Sequence, residues 1–181
     1  MQLTLSNWVA SCNADSDRLV KVLRRTYEDQ DCSIARALET IGERWTLLIL
    51  RDAFLGTRRF DDFQKSLGIA RNVLTVRLKS LVDAGLLERR RYQERPERYE
   101  YRLTEKGIDL WPVLFTLMKF GDKHAVEGDE MPPTLVTHRA CGSEVDDHMC
   151  CPRCGVQLGA RDVVARRGEA APAPAPRAAV A

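Results

Sequence analysis

Histidine is scarce in this 181-residue chain, occurring three times, at positions 124, 138 and 148. The first 123 residues therefore hold no imidazole to act as a general base, and no Ser-His-Asp order, phosphate loop or carboxylate pair takes its place. Long apolar runs are missing as well: none approaches the ~20 residues that span a bilayer. The opening stretch MQLTLSNWVASCNADSD lacks a basic start followed by a long apolar segment. No secretory signal is read there, and a cytoplasmic location is expected. In that setting the six cysteines are expected to be reduced. Net charge is nearly absent, 28 Lys and Arg against 26 Asp and Glu leaving +2. What remains is an ordinary mixture, 44% hydrophobic and 30% charged, which excludes a disordered or membrane-embedded chain. The length suits one compact domain with an appendage or two rather than an elaborate multidomain enzyme.

The small net charge is unevenly placed. Residues 69–102 carry nine Lys or Arg against five Asp or Glu, so this segment is +4 and the remainder −2. A local basic patch on a balanced protein is the footprint of a surface that meets a polyanion, because each neutralised phosphate releases condensed counterions. A merely solvated charged face is the alternative.

Helical spacing of Leu19, Leu23 and Tyr27 in DRLVKVLRRTYED suggests a helix within an N-terminal extension, residues 1–31. SIARALETIG reads as a short helix, and RWTLLILRDAFLG as a buried helix ended by Gly56. In FDDFQKSLG the apolar positions are 60, 63 and 67, with Gly68 placed to end the helix. ARNVLTVRLKSLVDAGL then puts Leu74, Leu78, Leu81 and Val82 on one face. Asn72, Thr75, Val76 and Lys79 point the other way, flanked by Arg71 and Arg77. After Gly85 the period becomes two: Tyr99, Tyr101 and Leu103 alternate with Arg98, Glu100 and Arg102, and Leu86 to Gln93 supplies a partner strand. Pro96 fits the turn between them. Thr104 suits the N-cap of one long helix, TEKGIDLWPVLFTLMKFGDKH, bent at Pro112.

Two helices joined by a short glycine turn and followed by a basic ribbon make a mainly α fold with a small antiparallel β wing, a winged helix-turn-helix. The second helix can enter a major groove while the wing reaches the flanking backbone. The six arginines between Leu86 and Gly107 then serve as phosphate contacts. Candidate DNA-binding residues are Arg71, Asn72, Thr75, Arg77 and Lys79 on the helix, and Arg89, Arg91, Arg95 and Arg98 on the wing.

Residues 32–126, through CSIARALETIGERWTLLILRDAFLGTRRFDDFQ, LGIARNVLTVRLKSLVDAGLLERR, YQERPERYEYRLTEKG and FGDKH, closely resemble the HxlR-type winged-helix transcriptional regulators of bacteria. The resemblance implies a homodimer that binds double-stranded operator DNA, acts as a repressor, is not an enzyme, and answers to a small-molecule or electrophile effector. It also tips the apolar stripe Leu110, Leu114, Leu117 and Met118 from packing within its own domain toward dimerisation together with the N-terminal helix. The chain departs from the family at Ala70, where Ser is more usual and would cap the recognition helix.

Cys32 sits where the resemblance puts the redox-sensing cysteine of family members that respond to electrophiles; a small buried residue is the plainer reading. Acidic Asp29 and Asp31 nearby disfavour a thiolate. Further on, THRACGSEVDDHMCCPRCGVQL presents His138-x2-Cys141-Gly and Cys151-x2-Cys154-Gly, nine residues apart. Each half resembles a zinc knuckle, and together His138, Cys141, Cys151 and Cys154 supply the four tetrahedral N and S ligands of a structural Zn2+. Cys150 or His148 could substitute for a neighbour, and a Cys141–Cys154 disulfide or a redox-active CxxC competes with the metal. This zinc-ribbon-like segment is placed at residues 134–160, and the Ala/Pro-rich tail, 166–181, is expected to be disordered.

A thiol-redox protein using CPRC is the rival function, but the α/β surroundings of a thioredoxin-type motif are missing. A protein-interaction module with a charged wing is the third.

Overall fold

The computed structural model describes Tyr27, residues 31–125 and residues 134–167. The helix expected in DRLVKVLRRTYED lies outside the described residues except for Tyr27, which is not helical, and the tail expected to be disordered over 166–181 lies outside them except for Arg166 and Arg167, which are in a strand. The chain divides into two compact units, Met1–Glu43 and Arg44–Ala181.

In the first unit α1, Ser33–Ile41, buries Ala35 and Ile41. Its N-cap is Cys32, with extended backbone and no side-chain cap bond, and the Arg36 guanidinium meets Asp31 at 2.7 Å.

The second unit starts with α2, Thr46–Phe54, whose Ile49 and Leu50 are fully buried, as the apolar run RWTLLILRDAFLG predicts. Asp52 is buried on the same helix, with Arg51 donating to its Oδ1 through Nε and Nη2 at 2.9 and 2.7 Å. Helix α3, Phe60–Leu67, ends on Gly68 in the left-handed region, φ 62°, where a side chain would be strained. Three residues later α4 begins, Arg71–Asp83, with Leu74, Leu78 and Leu81 buried at the expected spacing. Its N-cap is Ala70, which makes no capping bond, so the first turn of α4 keeps its backbone donors unclaimed by a cap.

Strands β1, Leu87–Gln93, and β2, Arg98–Leu103, pair antiparallel from Leu87↔Leu103 to Gln93↔Arg98, with an irregularity between Arg91 and Gln93. The wing carries a further edge contact that the sequence did not suggest. Arg59 bridges Glu100, and the Tyr101 N–H donates to the Arg58 carbonyl at 2.8 Å.

The single bent helix expected after Thr104 is instead two helices. Thr104 caps α5, Glu105–Ile108, its Oγ1 accepting from the Gly107 N–H at 3.1 Å and donating to the Gly85 carbonyl at 2.6 Å. A turn follows, and α6 runs Trp111–His124 with Pro112 in its first turn. A proline there loses no helical hydrogen bond, because first-turn N–H groups have no partner within the helix, so Pro112 starts a helix rather than bending one.

Gly107 sits against the turn that opens the wing. A Cβ placed there would clash with the Leu86 carbonyl oxygen and come within 3.1 Å of Leu103 Cδ2. Backbone cannot yield as a flexible side chain does, so Gly107→Ala is expected to destabilise the protein by about 1–3 kcal/mol. A thermal melt matching wild type would contradict that reading.

Beyond α6, β3 (Thr134–His138) pairs antiparallel with β4 (Val163–Arg167). The ribbon expected over 134–160 therefore continues to Arg167, because its outer strand closes only after the second knuckle. Nor is it a loose appendage: Val136, Val145, Cys151, Leu158 and Val163 share one buried cluster with Trp111 and Phe115 of α6. Among the described residues no helix is long and apolar enough to cross a membrane.

Candidate nucleic-acid interface and metal centre

Because Leu74, Leu78 and Leu81 anchor α4 inward, Arg71, Asn72, Thr75, Val76 and Lys79 are left exposed on its outer face, with Arg77 half-buried at its flank. Arg71 lies over the Phe60 ring at 4.8 Å and 3.8 Å from Asp61, both on α3, which holds the start of α4 beside the preceding helix. The Thr75 hydroxyl donates to the Arg71 carbonyl at 2.8 Å, and Lys79 reaches Asp83 at 3.4 Å. Val76, 56% exposed, adds an apolar spot suited to a thymine methyl.

On the wing, alternation separates two faces. Arg90 pairs with Glu88 at 2.6 Å and Arg102 with Glu100 at 2.7 Å, so these two cations are matched by carboxylates of their own face. On the other face Arg89 stacks 3.4 Å above Tyr99. The Tyr99 hydroxyl hydrogen-bonds Glu97, which lowers the Glu97 carboxyl from its ordinary pKa and raises the Tyr99 phenol. Arg91 lies 3.6 Å from Glu94 and 3.5 Å from Glu97, while Arg95 and Arg98 have no carboxylate partner among the described residues. The tip is thus the part of the wing whose cations remain open to an external anion. Sequence reasoning missed Arg58 and Arg59, since the TRRF stretch carries no strand periodicity. The Arg59 guanidinium lies 4.9 Å from the Tyr92 ring, which brings another cation to the wing.

The structure gathers His138, Cys141, Cys151 and Cys154, the four residues the knuckle spacing picked out, with all ligand atoms within 4.8 Å of one another. Cys141 Sγ is 3.2 Å from His138 Nδ1 and 3.4 Å from Cys151 Sγ. A tetrahedron with ~2.3 Å zinc–sulfur bonds has edges of roughly 3.8 Å, so the donor set fits such an ion with little adjustment. Each knuckle turns on a left-handed glycine, Gly142 at φ 71° and Gly155 at φ 67°. Their N–H groups donate to the His138 and Cys151 carbonyls, both at 2.8 Å. Cys151 rather than Cys150 faces the cluster; the Cys150 thiol donates weakly to the His148 carbonyl at 3.7 Å, and His148 stands outside the group. Burial opposes a Cys151 thiolate, yet the Cys154 N–H and hydrogen bonds from Cys141 and His138 bring its pKa down to about 6. Cys154 is pushed up to about 11 by hydrogen bonds with Cys141 and Cys151. Four close donors sharing protons in this way are the chemistry a dication replaces. The five described cysteines carry free thiols, and the Cys141–Cys154 disulfide is not formed.

Cys32 is exposed rather than a small buried residue. The Ala35 and Ile34 backbone N–H groups at the start of α1, which face the thiol without closing a capping bond, lower its pKa from the ordinary thiol value. At neutral pH Cys32 is therefore expected to react with iodoacetamide faster than a free thiol, and Cys32→Ser to remove that adduct. Peptide mapping after brief alkylation checks this, and labelling no faster than free cysteine would contradict it.

The profile of the HxlR-like helix-turn-helix family matches residues 40–129. The uncharacterised HTH-type transcriptional regulator Rv3095 of Mycobacterium tuberculosis is 47% identical over 136 residues, covering 75% of this chain and 85% of the relative. The regulator sll1512 of Synechocystis is 36% identical over 91 residues, 50% of this chain and 67% of its own. Among solved structures, the candidate transcription factor PA1607 aligns with a TM-score of 0.61 at 39% identity, over 75% of this chain and 94% of that one. The redox regulator HypR in its reduced form aligns with a TM-score of 0.50 at 27% identity, over 52% of this chain and 94% of that one.

Proposed function

Because this chain belongs to the HxlR-like helix-turn-helix family and is a transcriptional regulator rather than an enzyme, we propose that it works as a homodimeric repressor on a palindromic operator. In this reading α4 enters the major groove through Asn72, Thr75, Arg77 and Lys79, with Arg71 at its start. The wing grips the flanking backbone through Arg89, Arg91, Arg95 and Arg98. The observation that carries it is the pairing of an outward α4 face with a wing tip whose Arg95 and Arg98 lack carboxylate partners among the described residues.

The dimer face differs from the stripe expected at Leu110, Leu114, Leu117 and Met118. Leu110, Leu114 and Met118 are half-buried within their own unit, whereas Val113, Leu117 and Phe120 are 46, 48 and 61% exposed at i, i+4 and i+7. A contiguous apolar stripe on one side of α6 suits an isologous two-fold contact. Light scattering at micromolar concentration is expected to give twice the chain mass for wild type and the single chain mass for Phe120→Asp. A monomeric wild type would sink the dimer. Footprinting on DNA flanking the gene should protect two half-sites spaced by about one helical turn, ~34 Å, or a multiple. Protection of one unrepeated site would overturn the palindromic reading.

His138, Cys141, Cys151 and Cys154 hold a structural Zn2+ in this reading, with no open position for substrate. Electrophile or oxidant sensing by Cys32 is supported by its exposure and lowered pKa. The solved neighbour HypR is itself a redox regulator.

A further inference from the structure

A cavity of about 390 Å³ opens between α2, α6 and the C-terminal ribbon, within the second unit. Its wall is almost wholly apolar: Leu48 and Phe54 from α2, Trp111, Leu114 and Met118 from α6, and Val136 from β3. Volume and lining are those of a small-molecule site rather than of a packing defect. The aromatic rings meet as a corner, with Phe54 and Trp111 centroids 5.8 Å apart and Trp111 and Phe115 5.5 Å apart.

Among the described residues two charged side chains reach this lining, and they are not equivalent. Arg51 is held by the buried Asp52 carboxylate at 2.7 Å, so its charge is already matched. Asp122 forms no ion pair among the described residues, and burial is the main influence on its carboxyl, moving its pKa upward. Lys119, whose charge acts on Asp122 in the opposite sense, is shared between Glu144 at 3.8 Å and Asp147 at 3.5 Å. The described lining therefore carries one cation already matched, Arg51, and one carboxylate without an ion pair, Asp122. An apolar pocket with an aromatic corner and an unmatched acid is complementary to a ligand with an apolar body and a cationic head.

We propose that this cavity binds a small apolar cation, an aryl- or alkyl-substituted amine or quaternary ammonium, with Asp122 as counter-charge and the Phe54–Trp111 corner as the apolar and cation–π wall. A second copy of the chain is the weaker occupant. The face α6 turns outward runs through Val113 and Phe120, which do not line the cavity, with Leu117 shared at the edge between the two. That such a ligand acts as the effector rests on the regulator reading above; the binding itself does not.

The test titrates the full chain, labelled with 13C at its methionine methyls, with three probes of similar size. These are benzyltrimethylammonium, its uncharged carbon isostere neopentylbenzene, and 3-phenylpropanoate. Expected is a shift of the Met118 methyl, not of Met149, with the cation binding about tenfold tighter than the neutral isostere and the anion weakest. Asp122→Asn, with its fold checked by the unperturbed Met149 signal, is expected to bring the cation level with the isostere while the isostere's affinity stays unchanged. No shift at Met118 with any probe would overturn the site. Equal affinities for all three, or a cation preference that survives Asp122→Asn, would overturn the ligand class. Shifts confined to dilutions at which light scattering reports monomer would assign the cavity to the second copy instead.

Discussion

Stripping the metal from the full chain is expected to expose Trp111. Cys151 is fully buried and lies in the same apolar cluster as Trp111 and Phe115, so the knuckles and the face of α6 are packed as one body. The ribbon's strands are only five residues each, and its own buried apolar residues, Val136, Val145, Leu158 and Val163, are few. With zinc held as proposed, so small an element would depend on the metal for order, since structural zinc supplies apparent binding free energy on the order of 10 kcal/mol at neutral pH. Removing zinc with a strong chelator, or one ligand with Cys151→Ser, should shift Trp111 emission to the red and lower the melting temperature. Trp8→Phe and Trp45→Phe make Trp111 the sole reporter. Cys150→Ser, outside the ligand group, is the matched control and should behave as wild type. One zinc per chain by atomic absorption is expected beforehand. A metal-free preparation that melts like the metal-loaded one, with unshifted emission, would show that the four donors meet for another reason.

The second large effect concerns DNA, and it splits by element. Asn72 lies on the exposed face of α4, where a side-chain amide can read an adenine edge with two hydrogen bonds. Replacing it with alanine should cost about 1–3 kcal/mol on the operator and little on random duplex, so the preference between the two collapses. Arg95→Ala and Arg98→Ala should instead weaken operator and random duplex alike, each lowering the salt slope by about 1. Titrations of each variant on both duplexes separate the two patterns. An Asn72 variant that weakens both equally would take α4 out of the groove.

The elements that touch DNA in this reading were the most legible from sequence, for a physical reason. Leu74, Leu78 and Leu81 repeat at helical spacing and Tyr99, Tyr101 and Leu103 at strand spacing, and local periodicity is what one buried face imposes on a chain. Gly68 and Thr104 announced a helix end and a helix start by conformation and hydroxyl chemistry that need no tertiary partner. The four donors were legible for a similar reason, since the geometry of His-x2-Cys-Gly and of Cys-x2-Cys-Gly is local to each knuckle. The choice between Cys150 and Cys151 was not. It turns on the backbone around Met149, whose φ of 61° re-aims the chain just before the pair. The docking of the ribbon on Trp111, the edge contact of Arg58 and Arg59 with β2, and the cavity beside Met118 depend on residues distant in sequence, and no periodicity records them. Pro112 misled because its position relative to a helix start, not its presence, decides whether it bends a helix or begins one.

In the proposed function α4 and the wing together grip a polyanion in register. Fluorescence anisotropy of the full, zinc-loaded chain on a duplex from the region flanking its gene, repeated over a salt series with random duplex as competitor, tests it most directly. Expected are a straight fall of log K with log salt at a slope of about −0.9 for each phosphate contacted, and an affinity for the flanking duplex that exceeds random DNA by about a thousandfold or more. Binding that ignores salt, or that the random competitor removes as readily as the flanking sequence does, would contradict it.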